Sequence, residues 1–193
     1  MYVSSQSVVT PIGLVPPTPD RSDMNFIAGQ APNPAGNAGA GRAGAGGPGG
    51  GLNVGGLPLL KPPYGRITAY DLNKGEILWQ VAHGDTPDNI RNHPALKGLN
   101  IARTGRPGQA GTLVTKTLLI AGEKGVATQP NGQIGAKLRA YDKATGKDGG
   151  EVFMPAPQSG SPMTYMVNGR QYIIVPISGG GYNAELLAFR LPN

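Results

Sequence analysis

The sequence predicts an all-β chain made of four-stranded antiparallel units in series. Three observations carry that prediction. No segment keeps a helical apolar period over ten or more residues. Short β-branched and aromatic runs recur instead, bounded by Gly, Pro, Asn and Asp. One hairpin also occurs twice: Ala69-Tyr70-Asp71 with Gly75, and Ala140-Tyr141-Asp142 with Gly146, at identical internal spacing and 71 residues apart. A supersecondary unit repeated at a distance marks a repeat architecture.

In chain order, residues 1–6 read as a strand through Tyr2 and Val3. Pro11, Pro16, Pro17 and Pro19 then break regular structure. Residues 18–62 read as a long insertion. From Ala31 to Gly56, eleven of 26 positions are Gly and most others Ala, Pro or Asn. Such a stretch buries too little apolar surface to offset the entropy of ordering it, so it is expected to be flexible. Gly39-x-Gly41-x-x-Gly44 matches a dinucleotide fingerprint by letter alone, since no strand precedes it and no helix follows. Leu57-Pro58-Leu59-Leu60 is expected to re-enter the fold.

The first hairpin spans 66–82 and includes Trp79, the chain's single tryptophan. Residues 83–107 form a long irregular connection. Thr86 is expected to cap a short helical turn, with Pro87 at its first position. His83 and His93, without a cysteine or a second histidine pair, read as loop residues rather than metal ligands. Strands then come quickly at 111–114, 117–122, 137–142 and 151–153. Runs at 162–167 and 171–176 flank Asn168-Gly169, a pair suited to the positive φ of a type I′ turn. The last strand is 185–190.

Grouped in order, the middle unit is 112–114, 118–122, 138–142 and 151–153. The preceding unit supplies 2–5, 67–70 and 77–81 and lacks its first strand; the next one supplies 163–167, 172–176 and 186–189 and lacks its last. Four-stranded units in series predict a β-propeller. Within each hairpin, Ala69 and Ala140 are small where neighbouring sheets approach. Asp71 and Asp142 cap the turn, Gly75 and Gly146 give it backbone freedom, and Trp79 offers a flat face to the next sheet.

Composition narrows the function. Absence of cysteine excludes disulfides, thiolate metal sites, cysteine nucleophiles and haem attachment through Cys-x-x-Cys-His. The net charge of +6 arises wholly after residue 60, but without a basic run, so it reads as a solvated surface and not a nucleic-acid face. There is no signal-peptide pattern and no apolar run long enough to span a bilayer. Met1 opens directly on a strand, as expected of a chain that starts inside a domain.

Ala69-x-Asp71-x-x-x-Gly75-x-x-x-Trp79 resembles the tryptophan-docking motif of the pyrroloquinoline-quinone (PQQ)-dependent dehydrogenases. Gly160 to Tyr172, with its Pro162-Met163-Thr164-Tyr165 core, resembles the final blade of that family, as in its membrane-associated glucose dehydrogenase branch. Gly111–Thr115 and Leu118–Gly122 fit the same branch. The resemblance covers 1–17 and 63–193. It implies an eight-bladed propeller of which this chain holds about the last two and a half to three blades. It further implies a periplasmic location, with membrane association through an N-terminal region not in this sequence. PQQ and a calcium-type ion on the propeller axis would oxidise an alcohol or sugar hydroxyl, and electrons would pass to a quinone or cytochrome. The family's base, metal ligands and main cofactor contacts lie in earlier blades. No catalytic, cofactor-binding or metal residue of this chain is therefore nominated, and its partners would be the remaining blades. The second hairpin lacks the tryptophan, and Phe153 is the expected substitute. The alternative reading is a non-enzymatic propeller-repeat scaffold or assembly module.

Overall fold

The computed structural model describes residues 1–9, 13–17, 23–29 and 52–190. The early strands are β1 (Tyr2–Gln6), β2 (Gly13–Val15), β3 (Ile27–Gly29), β4 (Asn53–Val54), β5 (Leu57–Pro58), β6 (Gly65–Asp71) and β7 (Glu76–Ala82). A short helix α1 (Asp88–Arg91) and a 3-10 turn (Pro94–Leu96) come next. The later strands are β8 (Thr112–Val114), β9 (Leu118–Gly122), β10 (Ala127–Thr128), β11 (Ile134–Asp142), β12 (Asp148–Met154), β13 (Met163–Val167), β14 (Arg170–Gly179) and β15 (Tyr182–Arg190).

These build three main antiparallel sheets: β1-β6-β7, then β8-β9-β11-β12 with β10 alongside the start of β11, then β13-β14-β15. The four strands grouped as the middle unit are neighbours in the expected order. Period-two alternation sets which side chains turn inward. In β14, Ile173, Val175 and Ile177 point one way, into a core with Ile120, Ala136, Leu138 and Met154 of the second sheet and Ala156 just after it. On the second sheet's opposite face, Leu119, Ala121 and Tyr141 meet Ile67, with Tyr2, Trp79 and Val81 packed alongside. The second sheet is thus the middle layer, apolar on both faces, and a strand such as β11 reads as a nearly continuous buried run.

The meander places the turns β6–β7, β8–β9, β11–β12 and β13–β14 at one end of the sheets. The longer connections, 7–64, 83–111, 123–133 and 155–162, all leave from the other end. Asn168 (φ 49°) and Gly169 (φ 74°) both carry the positive φ that their turn requires.

Several elements depart from the sequence reading. β2 forms between Pro11 and Pro16, since none of its residues is proline, and pairs with β3. Leu57 and Pro58 belong to a small hairpin with β4, while Leu59 and Leu60 remain 51% and 40% exposed. Thr86 does not cap α1: Pro87 is the capping residue and makes no side-chain cap bond, while Thr86 Oγ1 accepts the Thr104 N–H at 3.1 Å. β12 starts at Asp148 and β15 at Tyr182, each three residues earlier than expected. The glycine-rich centre of the insertion, with Gly39, Gly41 and Gly44, lies outside the described residues.

Candidate functional site: a docking turn and a buried charge network

Both copies of the hairpin turn are built alike. Asp71 Oδ1 accepts the N–H groups of Asn73 (2.9 Å) and Lys74 (3.3 Å). Asp142 Oδ1 accepts those of Ala144 (3.1 Å) and Thr145 (2.8 Å), and the Thr145 hydroxyl at 2.7 Å. The Thr145 bonds hold the Asp142 carboxyl below its ordinary pKa. Gly75 and Gly146 each close the turn at φ 72°, a region that favours glycine.

Across the first sheet, Ala69 lies between Tyr2 on β1 and Trp79 on β7. A larger residue there would push the two rings apart; their centroids are 5.8 Å apart. The Trp79 indole reaches over to the turn of the second sheet. Its Nε1–H donates to the Lys143 carbonyl at 3.2 Å. A Cβ placed on Gly146 would lie 2.6 Å from Trp79 Cε3, so only glycine lets the ring settle. The Tyr2 hydroxyl donates to the same carbonyl at 3.1 Å.

The second hairpin differs. Ala140 faces Gly150, as Ala69 faces Trp79, and Gly150 has φ 129°. Phe153 therefore does not take the tryptophan's place: it pairs with Lys137 further along the ladder and is 40% exposed. The second and third sheets are joined otherwise. Gln158, 1% exposed, receives the Gly122 N–H on Oε1 (2.5 Å) and donates from Nε2 to the Gly111 carbonyl (2.9 Å), while its backbone bridges Ile177 of β14.

A second polar assembly lies at the end of the sheets where the long connections leave. Lys137, Arg139 and Tyr141 alternate on the face of β11 turned to the first sheet. Arg139 donates from Nε to Glu123 Oε1 (2.7 Å), from Nη2 to Asp85 Oδ1 (2.5 Å) and from Nη1 to Glu151 Oε2. Lys137 Nζ joins Asp85 (3.2 Å) and Glu151 (2.5 Å). Burial pushes the Asp85 carboxyl up, but Arg139 and Lys137 outweigh it and hold the group below its usual pKa. Burial raises Glu123, and Arg139 only partly counters it. The arrangement ties the 83–111 connection to the second sheet. It leaves Glu123 Oε2 and Arg106 Nε and Nη2 buried without a hydrogen-bond partner.

His83, 3% exposed, links the first two sheets beneath this network. Its Nε2 donates to the Gly122 carbonyl (3.2 Å), so Nδ1 accepts from the Tyr141 hydroxyl (2.9 Å). Burial, with Arg139 and Arg103 adding to it, lowers the His83 pKa to about 4 against the opposing Gly122 bond. Burial raises the Tyr141 pKa. The sequence does hold one signal for this network. The charged residues Lys137 and Arg139 share the parity of the buried Tyr141, so they need buried counter-ions.

Residues 1–173 match the family described as PQQ: Glucose/ethanol/alcohol dehydrogenase, beta-propeller domain. Quinoprotein glucose dehydrogenase A of Acinetobacter calcoaceticus is 32% identical over 144 residues, covering 72% of this chain and 16% of that protein. Quinoprotein glucose dehydrogenase of Escherichia coli is 33% identical over 145 residues, covering 72% of this chain and 17% of its own. A probable quinate dehydrogenase (quinone) of Xanthomonas campestris is 31% identical over 150 residues, with coverage of 72% and 17%. The chain spans about a sixth of the length of these curated relatives.

Proposed function

The chain belongs to the PQQ-type glucose/ethanol/alcohol dehydrogenase β-propeller family, and from that premise we propose that it supplies the closing blades of such an enzyme. In this reading the complete ring has eight blades, works in the periplasm and oxidises an alcohol or sugar hydroxyl. It passes electrons to a quinone or cytochrome. Relatives named for glucose and for glycerol dehydrogenation support that substrate class. The observation that carries the reading is the Trp79 indole seated on the Gly146 turn of the next sheet. It fastens one sheet to its successor in a series. The first and third sheets hold three strands each, one fewer than the β8-β9-β11-β12 unit between them, among the described residues.

The described residues supply little toward PQQ or calcium. Among the described residues Arg106 has buried Nε and Nη2 without a hydrogen-bond partner, and burial lowers its pKa despite the nearby Glu123, Asp88 and Asp85. Among the described residues, no three His, Asp or Glu side chains converge on a metal-sized site. In this reading PQQ and calcium are held by the rest of the ring, and this chain completes its wall.

The test is to tag the chain in its source cells and isolate the product under native conditions. The expected result is dye-linked dehydrogenase activity toward alcohols or sugars, lost on chelation and restored by PQQ with calcium. Isolation of this chain alone, with no PQQ-dependent activity in the recovered material, would overturn the reading in favour of a scaffold.

A further inference from the structure

The sequence holds Asn-Gly twice, at Asn131-Gly132 and Asn168-Gly169. All four residues are exposed, so solvent access does not separate the two sites. Nor does space: a Cβ built on either glycine would meet nothing within 4 Å. Hydrogen bonding does separate them. Asn131 is held through both side-chain polar atoms: Nδ2 donates to Gln133 Oε1 (2.8 Å), and Oδ1 accepts the Gln133 N–H (3.1 Å). The Gly132 N–H donates to the Gln129 carbonyl at 2.9 Å. Asn168 and Gly169 form the turn between β13 and β14. There, neither the Asn168 side chain nor the Gly169 N–H has a hydrogen-bond partner among the described residues.

We propose that Asn168 is a site of spontaneous covalent modification, at which the Gly169 nitrogen closes on the Asn168 side chain and isoaspartate accumulates in the β13–β14 turn. Asparagine is a thermolabile residue, and glycine has no side chain to hinder the approach of its nitrogen. The Gly169 amide nitrogen attacks Asn168 Cγ. A C–N bond forms, the Cγ–Nδ2 bond breaks, and ammonia leaves with the proton that the Gly169 nitrogen gives up. The product is a five-membered cyclic imide. Water then adds to one of its two carbonyls and opens the ring. Opening at Cγ gives aspartate, and opening at the Asn168 main-chain carbonyl gives isoaspartate. Neither step oxidises or reduces anything. Isoaspartate routes the main chain through Cβ and Cγ and so lengthens the turn. Hairpin register depends on turn type and loop length, so the Val167–Arg170 pair that ends the ladder would be lost. At Asn131 the same closure must first break the bonds to Gln133 and Gln129. The inference rests on this turn alone and stands whether or not the dehydrogenase reading holds.

The test is to incubate the full chain in mildly alkaline buffer, digest samples over time and follow the two Asn-Gly peptides by mass spectrometry. Ammonia release is recorded alongside. Isoaspartate is counted by methyl transfer from labelled S-adenosylmethionine with an isoaspartyl methyltransferase. Asn168 is expected to convert about tenfold faster than Asn131, the ratio set by breaking one or two hydrogen bonds of ordinary net strength. In denaturant the two rates should converge, because both sites are then the same dipeptide in an open chain. N168D keeps a residue that tolerates positive φ and should remove the fast phase of ammonia release. Equal rates in the folded chain overturn the proposal, as does faster conversion at Asn131 or a fast phase retained in N168D. A folded chain with no isoaspartate at position 168 by the time the denatured control has converted overturns it too.

Discussion

Gly75 and Gly146 occupy one place in two copies of a turn and share a φ of 72°, yet their surroundings differ. Nothing lies within 4 Å of a Cβ built on Gly75, whereas one on Gly146 would overlap the Trp79 ring. Gly75→Ala should therefore cost roughly 1 kcal/mol, for left-handed backbone strain alone. Gly146→Ala should cost about 2 kcal/mol more, through overpacking. Denaturant midpoints of both variants check this, and the excess should vanish in a Trp79→Ala background; an equal cost at both glycines would contradict the docking role. Arg139→Met should cost about 3–5 kcal/mol by leaving Glu123 buried without its counter-ion. His83 is depressed from 6.5 to about 4, so the unfolded state takes up its proton first as pH falls. Its contribution is intact above pH 6.5 and is lost on descending to about pH 4, amounting to about 3 kcal/mol. Unfolding curves at pH 7 and 4.5 should show that loss in the parent and a shallower pH dependence in His83→Asn. Arg139, Arg103 and the Tyr141 hydroxyl are the groups set around this ring. The docking residues were legible because glycine, aspartate and tryptophan act through local turn geometry. Glu123, Asp85 and Arg106 were not, because their partners come from separate loops that only the fold brings together.

At the scale of elements, the two hairpins differ in the sheet that comes after each. The turn that could receive a second tryptophan would have to come from the third sheet. There the β14–β15 turn is Gly179-Gly180-Gly181, with no aspartate cap, and it lies at the other end of the sheets. Gly150→Trp should thus fail to stabilise the second interface; a melting temperature raised by several degrees would show that a receiving surface exists. Alternation made β6, β11 and β14 readable, since each has one face or both in a core. β10 and the β2–β3 pair were unreadable: they are two or three residues long and owe their pairing to a neighbour, not to a pattern of their own. The cap of α1 failed for a related reason, because Thr86 is held by Thr104 from across the connection.

The whole molecule is an arc of three sheets with a shared middle layer. Its outer surfaces are unequal. The face of the third sheet turned away from the core carries Met163, Tyr165 and Leu186, exposed by 53%, 38% and 70%. Together with the unpaired edges of β1 and β15, this predicts concentration-dependent self-association of the isolated chain. Sedimentation velocity over a dilution series checks it, and a soluble monomer with one sharp cooperative melt would contradict it. The series of sheets was legible from repetition alone, whereas the two edges of the arc have no second copy against which to read them. Docking also has a direction in time. Trp79 bonds to a carbonyl 64 residues downstream. During synthesis the first hairpin can close its own ladder early, but its indole has nowhere to rest until Lys143 and Gly146 have been made. The first sheet is thus completed by the one translated after it, and a pause in translation between residues 80 and 142 would leave the ring of Trp79 exposed to whatever else is nearby.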